Sequence, residues 1–342
     1  YEDDGIIYYE NTPYRGGIML LAKSDGSITV INYLTMEHYV YGVLNSEMGY
    51  TNPEEALKAQ AVTARSFGEL NTGKHAKDGF DLCASTCCQV YRGYSGEYPS
   101  IIRATDETIG EMLYYDGEPV TAFYYKNSGG YTQNVEDVWS FALPYLRAVE
   151  DEYSPSYPWN ASLSFDTIRT KLEAAGFQPG DIESVAISGR NTTGSVSELK
   201  IIGSRATIYL KKEKIRNTLG ATVIKSLMFE LADSNSSSGS SDWAISNGSS
   251  ASRPAADTYI ISGTGTVREM DSGSLYAFNG TTTVKLGKSF STETITGGTA
   301  NFSGYGYGHR VGMPQDSAIE MAKQGFTYEE ILKYFYTGIE IE

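Results

Sequence analysis

The sequence predicts an α+β protein: a core of mixed helices and antiparallel sheets forming a substrate cleft, with a second α/β lobe and a small all-β insertion. Three features lead there. A helix with its start written out follows Asn52. Two Asp-Gly hairpin signals, Asp25-Gly26 and Asp116-Gly117, each join a pair of strand-like runs. Residues 257–300 hold short Thr/Val/Tyr runs broken by glycines.

Taken in order, residues 1–15 read as an extended lead-in. Gly17–Ala22 and Ser27–Asn32 form the first hairpin. Thr35 caps a helix to about Leu44. Glu47 then falls in a short turn. Asn52 is placed to cap the next helix, Pro53 suits its first position, and Glu55 stands where a capping-box Glu reaches back. That helix runs to about Leu70, with an apolar stripe through Ala56, Leu57, Ala59, Ala61, Ala64 and Phe67. A loop over 71–91 carries all three cysteines. A short helix spans Pro99 to Thr108, and 111–125 form the second hairpin. Gly129-Gly130 demand unusual backbone conformations or close approach to a ligand.

From Ser154 the pattern changes. Phe165–Ala175 is amphipathic and ends at Gly176. The runs 184–188, 198–202 and 206–210 alternate like strands, and Lys211–Leu219 is helical. Residues 234–241, nearly all Ser, read as a linker. After the glycine-broken strands come a helix from Gln315 to about Gln324 and a last helix to about Tyr336, opened by a Thr327/Glu330 capping box. The expected organisation is a catalytic lobe over 1–153, a second lobe and linker over 154–241, an all-β insertion over 242–303, and a return to the first lobe over 304–342.

With 342 residues the chain has room for one large domain or two ordinary ones. Its net charge of −15 excludes a nucleic-acid partner, because phosphate binding needs a basic face. Tyr, at 27 residues, is abundant; aromatic faces stack on sugar rings, and they also fill half-buried sheet positions. No run of about 18 apolar residues is long enough to span a membrane. The chain begins at Tyr1 with no signal-peptide pattern, as a mature or trimmed form would.

The chemistry concentrates at Glu47, one carboxyl beside a rigid helix, which is what a general acid needs. At these residues a resemblance becomes specific. Tyr39-Val40-Tyr41-Gly42-Val43-Leu44-Asn45-Ser46-Glu47-Met48, then Glu55-Ala56-Leu57-Lys58-Ala59-Gln60-Ala61 and Ala64-Arg65-Ser66, resemble the stage II sporulation protein D family, which includes the amidase enhancers. Two further segments fit it: Tyr124-Tyr125-Lys126-Asn127-Ser128-Gly129-Gly130-Tyr131-Thr132, and Gly306-Tyr307-Gly308-His309-Arg310-Val311-Gly312-Met313-Pro314-Gln315. The last departs from the family pattern at Arg310, where Gly is usual, and at Pro314, where Ser is.

The resemblance implies a peptidoglycan lytic transglycosylase with Glu47 as catalytic acid. It implies action on glycan strands that a partner amidase has stripped of peptides, during engulfment in sporulation. It also implies export, to the cell surface or the space between mother cell and forespore, often with a membrane anchor upstream. Arg65, Tyr125, Lys126, Ser128, His309 and Gln315 are the candidate substrate contacts. Arg65 reads equally as a helix-face ion pair, Ser128 as a turn residue and His309 as a structural histidine. Met48, Tyr50, Tyr124 and Tyr125 are candidate apolar walls for Glu47, and Glu136, Glu150 and Asp151 candidate assisting carboxylates.

The cysteine loop reads separately. His75, Cys83, Cys87 and Cys88 supply four ligands from one short stretch of chain, enough to enclose a tetrahedral Zn2+ of structural or site-shaping kind. A disulfide is the rival in an exported chain. Three cysteines leave one over, and a Cys87–Cys88 bridge would be strained. A non-catalytic wall binder that stimulates an amidase, and a zinc hydrolase, are the alternative functions.

Overall fold

The computed structural model describes residues 5–233, 294–296 and 298–342, with short strands between 245 and 286. The fold is α+β, as expected. Its helices are α1 (Met36–Glu47), α2 (Glu54–Leu70), α3 (Pro99–Asp106), the single turn α4 (Val135–Val138), α5 (Phe165–Ala174), α6 (Lys214–Leu219), α7 (Gln315–Lys323) and α8 (Tyr328–Phe335).

The first hydrophobic core forms around α2. Every residue from Leu57 to Ser66 except Lys58 is buried, so α2 is enclosed by α1, α3, α7 and α8. Its alanines permit the close approach that enclosure requires. Its buried hydroxyls are satisfied within the helix: Thr63 donates to the Ala59 carbonyl at 2.7 Å and Ser66 to that of Val62 at 2.8 Å. Apolar residues from distant segments, among them Leu113, Leu146, Val311 and Met313, complete this core.

The helix ends differ from expectation in an instructive way. Helix α1 runs on through Asn45 and Ser46 and closes at Glu47, because no breaker intervenes before Gly49, which takes φ +87°. Asn52 does not cap α2. Its amide donates to the Met48 and Gly49 carbonyls, which α1 leaves unpaired at its end. Glu55 makes no capping box either; it accepts from the Tyr328 backbone N–H at 2.8 Å and pairs with Lys58. The Thr327/Glu330 capping box forms as expected.

Residues 6–15 are a hairpin rather than a plain lead-in. Ile6–Tyr9 pairs antiparallel with Thr12–Arg15 across Glu10 and Asn11, both at positive φ. Gly17–Ala22 pairs with Ile28–Tyr33, and Leu113–Tyr115 with Glu118–Pro119, at the two Asp-Gly turns. Tyr124–Tyr125 lies parallel to Met313–Pro314, which joins two segments far apart in the chain.

A second core belongs to 158–231 and 295–302. Ile182–Arg190, Val196–Gly203 and Thr207–Lys211 form an antiparallel meander, edged by Thr294–Ile295. A three-stranded sheet places Thr299–Tyr305 between Phe229–Asp233 and Pro158–Ser164. The sequence reading assigns no strand at 158–164, although Trp159 and Leu163 alternate inward, because its partner strand lies far downstream. The serine-rich linker lies outside the described residues. Beyond it, Ile245–Ser246, Tyr259–Ile261 and Leu275–Phe278 pair antiparallel with Ala251–Ser252, Val267–Glu269 and Thr283–Leu286. Among the described residues no helix is long and apolar enough to cross a membrane.

Candidate active site

Glu47 ends α1 half-buried, its carboxyl turned toward the segment that follows the cysteines. The Val90 backbone N–H donates to Oε1 at 3.0 Å. The Tyr124 hydroxyl and the Gln315 amide add side-chain hydrogen bonds. Burial pushes the Glu47 carboxyl above its ordinary 4.5; the three donors pull it down without cancelling that effect.

Behind these donors stands a buried polar relay. Gln89 Nε2 donates to the Tyr124 hydroxyl at 2.9 Å, and Tyr39 donates to Gln89 Oε1 at 3.0 Å. Gln315 donates to Gln60 Oε1 at 3.4 Å, and both glutamines are buried. The carboxyl is thus fixed from three segments: the cysteine loop, the 124–125 strand and α7. Gln89, Gln60 and the Val90 N–H escape the sequence reading, which places Tyr124 only as a wall. A glutamine or a backbone amide has no sequence signal until folding aims it.

The predicted contacts sort unequally. Gln315 reaches Glu47. Arg65 does not face a ligand: it is 2% exposed, with two bonds to the Glu37 carboxylate at 2.9 and 2.6 Å and one to the Glu111 carbonyl at 2.8 Å. It ties α2 to α1 and to the end of α3, the ion-pair reading. Ser128 is also a correction. It is fully buried and donates to Asp151 at 2.5 Å, while its own oxygen accepts from Gly130 N–H at 3.1 Å. It builds the turn, in which Gly129 and Gly130 take φ +66° and +102°. Lys126 is exposed and paired with Asp316 at 2.7 Å.

Tyr125 is buried, its hydroxyl without a partner. Its ring instead walls His309, with centroids 5.2 Å apart; Trp139 and Phe123 stand at 5.1 and 6.0 Å. This aromatic enclosure brings the imidazole pKa down to about 3, the positive charge of Arg216 adding to the effect. His309 Nδ1 accepts from Val311 N–H at 3.2 Å, so the other ring nitrogen carries the proton. NMR titration should find this ring neutral from pH 8 to pH 5; a midpoint near 6.5 would contradict the enclosure.

Of the other proposed walls, Met48 packs into the first core, and Tyr50 is an exposed residue stacked on Tyr98 at 3.8 Å. Glu136 is neutralised by Arg147 at 2.6 Å, and Asp151 is buried beneath Ser128 and Ser317. Glu150 lends its backbone carbonyl to the Tyr334 hydroxyl. None of the three contacts Glu47.

Arg310 explains its own departure from the family pattern. It holds φ +68°, the conformation glycine would take without strain. Its side chain is fully buried and donates to the Ser128 and Tyr131 carbonyls, each at 2.6 Å, and to Ser195 Oγ at 2.5 Å. Burial lowers its pKa only to about 10, so it stays charged. Arg310→Met should cost about 3 kcal/mol in denaturant unfolding, since the Ser128 and Tyr131 carbonyls lose a donor and Ser195 Oγ keeps only that of Gln133.

The cysteine loop gathers as expected. Ligand atoms of His75, Cys83, Cys87 and Cys88 lie within 4.8 Å of one another, and no disulfide joins the cysteines. His75 Nε2 is 3.5 Å from Cys88 Sγ and 3.8 Å from Cys87 Sγ. The edges of a zinc tetrahedron with these ligands are roughly 3.5–3.8 Å, from zinc–sulfur and zinc–nitrogen bonds of about 2.3 and 2.0 Å. The residues therefore fit a zinc ion.

Residues 24–115, which include Glu47, Val90 and the cysteine loop, match the Stage II sporulation protein family. Residues 133–249 match a domain of unknown function (DUF8618). An uncharacterized protein of Brachyspira hyodysenteriae is 29% identical over 99% of this chain and 73% of its own length. The amidase enhancer of Bacillus subtilis is 30% identical over 87% of this chain, which spans only 39% of that protein. Stage II sporulation protein D of the same organism is 28% identical over 96% of this chain and 82% of its own. The chain carries a Stage II sporulation protein domain over residues 24–115 and is similar, over most of its length, to stage II sporulation protein D and to the amidase enhancer.

Proposed function

We propose that the protein is a lytic transglycosylase that cleaves the MurNAc-β-1,4-GlcNAc bond of peptide-stripped glycan strands. The observation that carries this reading is Glu47: one half-buried carboxyl, raised in pKa by burial and held by three donors, with no second carboxylate of the described residues in contact. A retaining or inverting glycosidase needs two carboxyls, one of them to act as nucleophile or to activate water. A transglycosylase needs one, because the sugar supplies the nucleophile. Protonated Glu47 gives its proton to the glycosidic oxygen as the C1–O bond breaks. The C6 hydroxyl of the same MurNAc attacks C1, and the Glu47 carboxylate takes the hydroxyl proton. The products are a 1,6-anhydroMurNAc end and a free GlcNAc hydroxyl, and the acid is restored.

Zinc, held by His75, Cys83, Cys87 and Cys88, would supply structure. With four protein ligands it has no open position for water. Its place in the chain matters, because Cys88 is followed directly by Gln89 and Val90, both of which serve Glu47. The work requires export to where glycan strands lie, and an amidase that removes their peptides.

A non-catalytic role as stimulator of an N-acetylmuramoyl-L-alanine amidase has one specific support, the similarity to the amidase enhancer of Bacillus subtilis. Mass analysis of digested, peptide-free strands separates the readings. Transglycosylation gives end groups lighter by one water than hydrolysis does, and stimulation alone gives no new ends. A water-derived reducing end would overturn the proposal.

A further inference from the structure

A strand freed of its peptides exposes, at each MurNAc, a negative charge that the peptide linkage otherwise removes. The lactyl carboxyl of each bare MurNAc is an anion; with peptide attached it is a neutral amide. At −15 the chain as a whole repels such a strand. Recognition therefore needs a local cation whose charge the protein has not already neutralised.

Most cations on the segments around the site are committed. Lys126 pairs with Asp316, Arg147 with Glu136 and Arg216 with Glu213. Arg310 is sealed inside, and Lys212 donates to the backbone carbonyls of Glu136 and Trp139. Lys225 differs. It is half-buried, and its Nζ stands 5.2 Å from the ring centroid of Tyr157 and 5.7 Å from that of Tyr307. No carboxylate of the described residues pairs with it.

The surrounding backbone is tightly built. The Lys225 carbonyl accepts from Gly308 N–H at 2.9 Å and the Tyr157 carbonyl from Gly306 N–H at 2.9 Å. Tyr307 exchanges two backbone bonds with Asn127, at 3.0 and 2.9 Å. The two tyrosine rings lie 5.9 Å apart at 40°, both partly exposed. Aromatic faces steady an ammonium without cancelling its charge, and they offer an apolar surface to a sugar ring. The same turn leads through Gly308 to His309, whose ring rests on Tyr125, the neighbour of the tyrosine that bonds Glu47.

We propose that Lys225, framed by Tyr157 and Tyr307, binds the free lactyl carboxylate of a bare MurNAc and so selects peptide-stripped strands. This rests on the glycan-cleaving reading above and extends it to substrate choice. It places this contact not on Lys126, a candidate substrate contact that Asp316 holds, but on a lysine that no carboxylate of the described residues holds.

The test measures binding to the Glu47→Gln chain, which retains strands intact. The probes are bare glycan oligosaccharides, the same oligosaccharides with lactyl carboxyls converted to amides, and chitin oligosaccharides, which have none. Lys225→Met should weaken binding of the bare strand about tenfold, the range of a charge-assisted hydrogen bond. Amidated strands and chitin oligosaccharides should bind the variant as they bind its parent, and Lys225→Arg should restore the preference. Equal loss on all three probes would make Lys225 a structural residue, and no loss on the bare strand would remove it from recognition; either overturns the inference. If the unsubstituted chain cleaves bare and amidated strands alike, the inference fails alone. If it yields no anhydro ends from either, the glycan-cleaving reading fails with it.

Discussion

Glu47→Gln should lower strand cleavage at least about 10³-fold while leaving the fold intact. General acid–base catalysis contributes roughly 10²–10⁴-fold, and here one group serves both proton transfers. Glutamine keeps the shape and can still accept from Val90 N–H, but it has no proton to give. The variant should also be the more stable protein at high pH. Burial raises the folded-state pKa above 4.5, the value the group has when unfolded. Below 4.5 the carboxyl is neutral in both states and carries no penalty. As pH rises through the folded pKa, a partly desolvated charge forms and stability is lost. The melting temperatures of parent and variant should therefore converge near pH 4 and separate in favour of Glu47→Gln near pH 8. Cleavage by the parent should decline over the same interval, as the acid loses its proton. Retained activity in the variant would remove Glu47 from the chemistry.

Protein purified without chelator should contain one zinc per chain. Stripping it, or Cys88→Ser, should lower cleavage by about 10- to 100-fold, the range seen when groups that hold a site in place are lost. The path is short. Lys74 donates to the Cys87 carbonyl, Cys88 N–H to the Ser85 carbonyl, and the next two residues bond Tyr124 and Glu47. The loop over 71–91, whose one piece of regular structure is the short 3-10 turn Ala76–Asp78, has little else to order it. Loss of metal should therefore loosen the Val90 N–H and Gln89, and the melting temperature should fall with activity. Because the ion takes no part in the proton transfers, the end groups that remain should still be anhydro sugars. A metal-free protein of full activity, or a disulfide found by mass analysis, would end the zinc proposal.

Some of this was legible in the residues. The ends of α8 and the hairpins at Asp25-Gly26 and Asp116-Gly117 rest on contacts within a few residues, so local chemistry states them. The cysteine cluster is equally local, closing within a single loop. Glu47 stood out through its surrounding motif. Of its partners, Gln315 and Tyr124 are marked by their motifs, as a substrate contact and a wall, while Gln89 and the Val90 N–H carry no signal; they come from separate later segments and meet only after α2 is enclosed. The errors have the same cause. Arg65, Ser128 and Asn52 are polar residues in a distinctive motif, and from sequence such a residue serves a ligand or the fold with equal ease. Burial decides: Arg65 closed on Glu37, Ser128 on Asp151, and Asn52 turned back to the carbonyls of α1.

By itself, then, the sequence determined most of the helices, the tight turns and the grouping of His75 with the three cysteines, because each depends on neighbours close in the chain. Tertiary structure alone decided the parallel pairing of 124–125 with 313–314, the middle strand at 299–305, the donors that grip Glu47, and which cations stay unpaired. Those depend on desolvation and on contacts between distant segments, and neither exists until the chain has closed on itself.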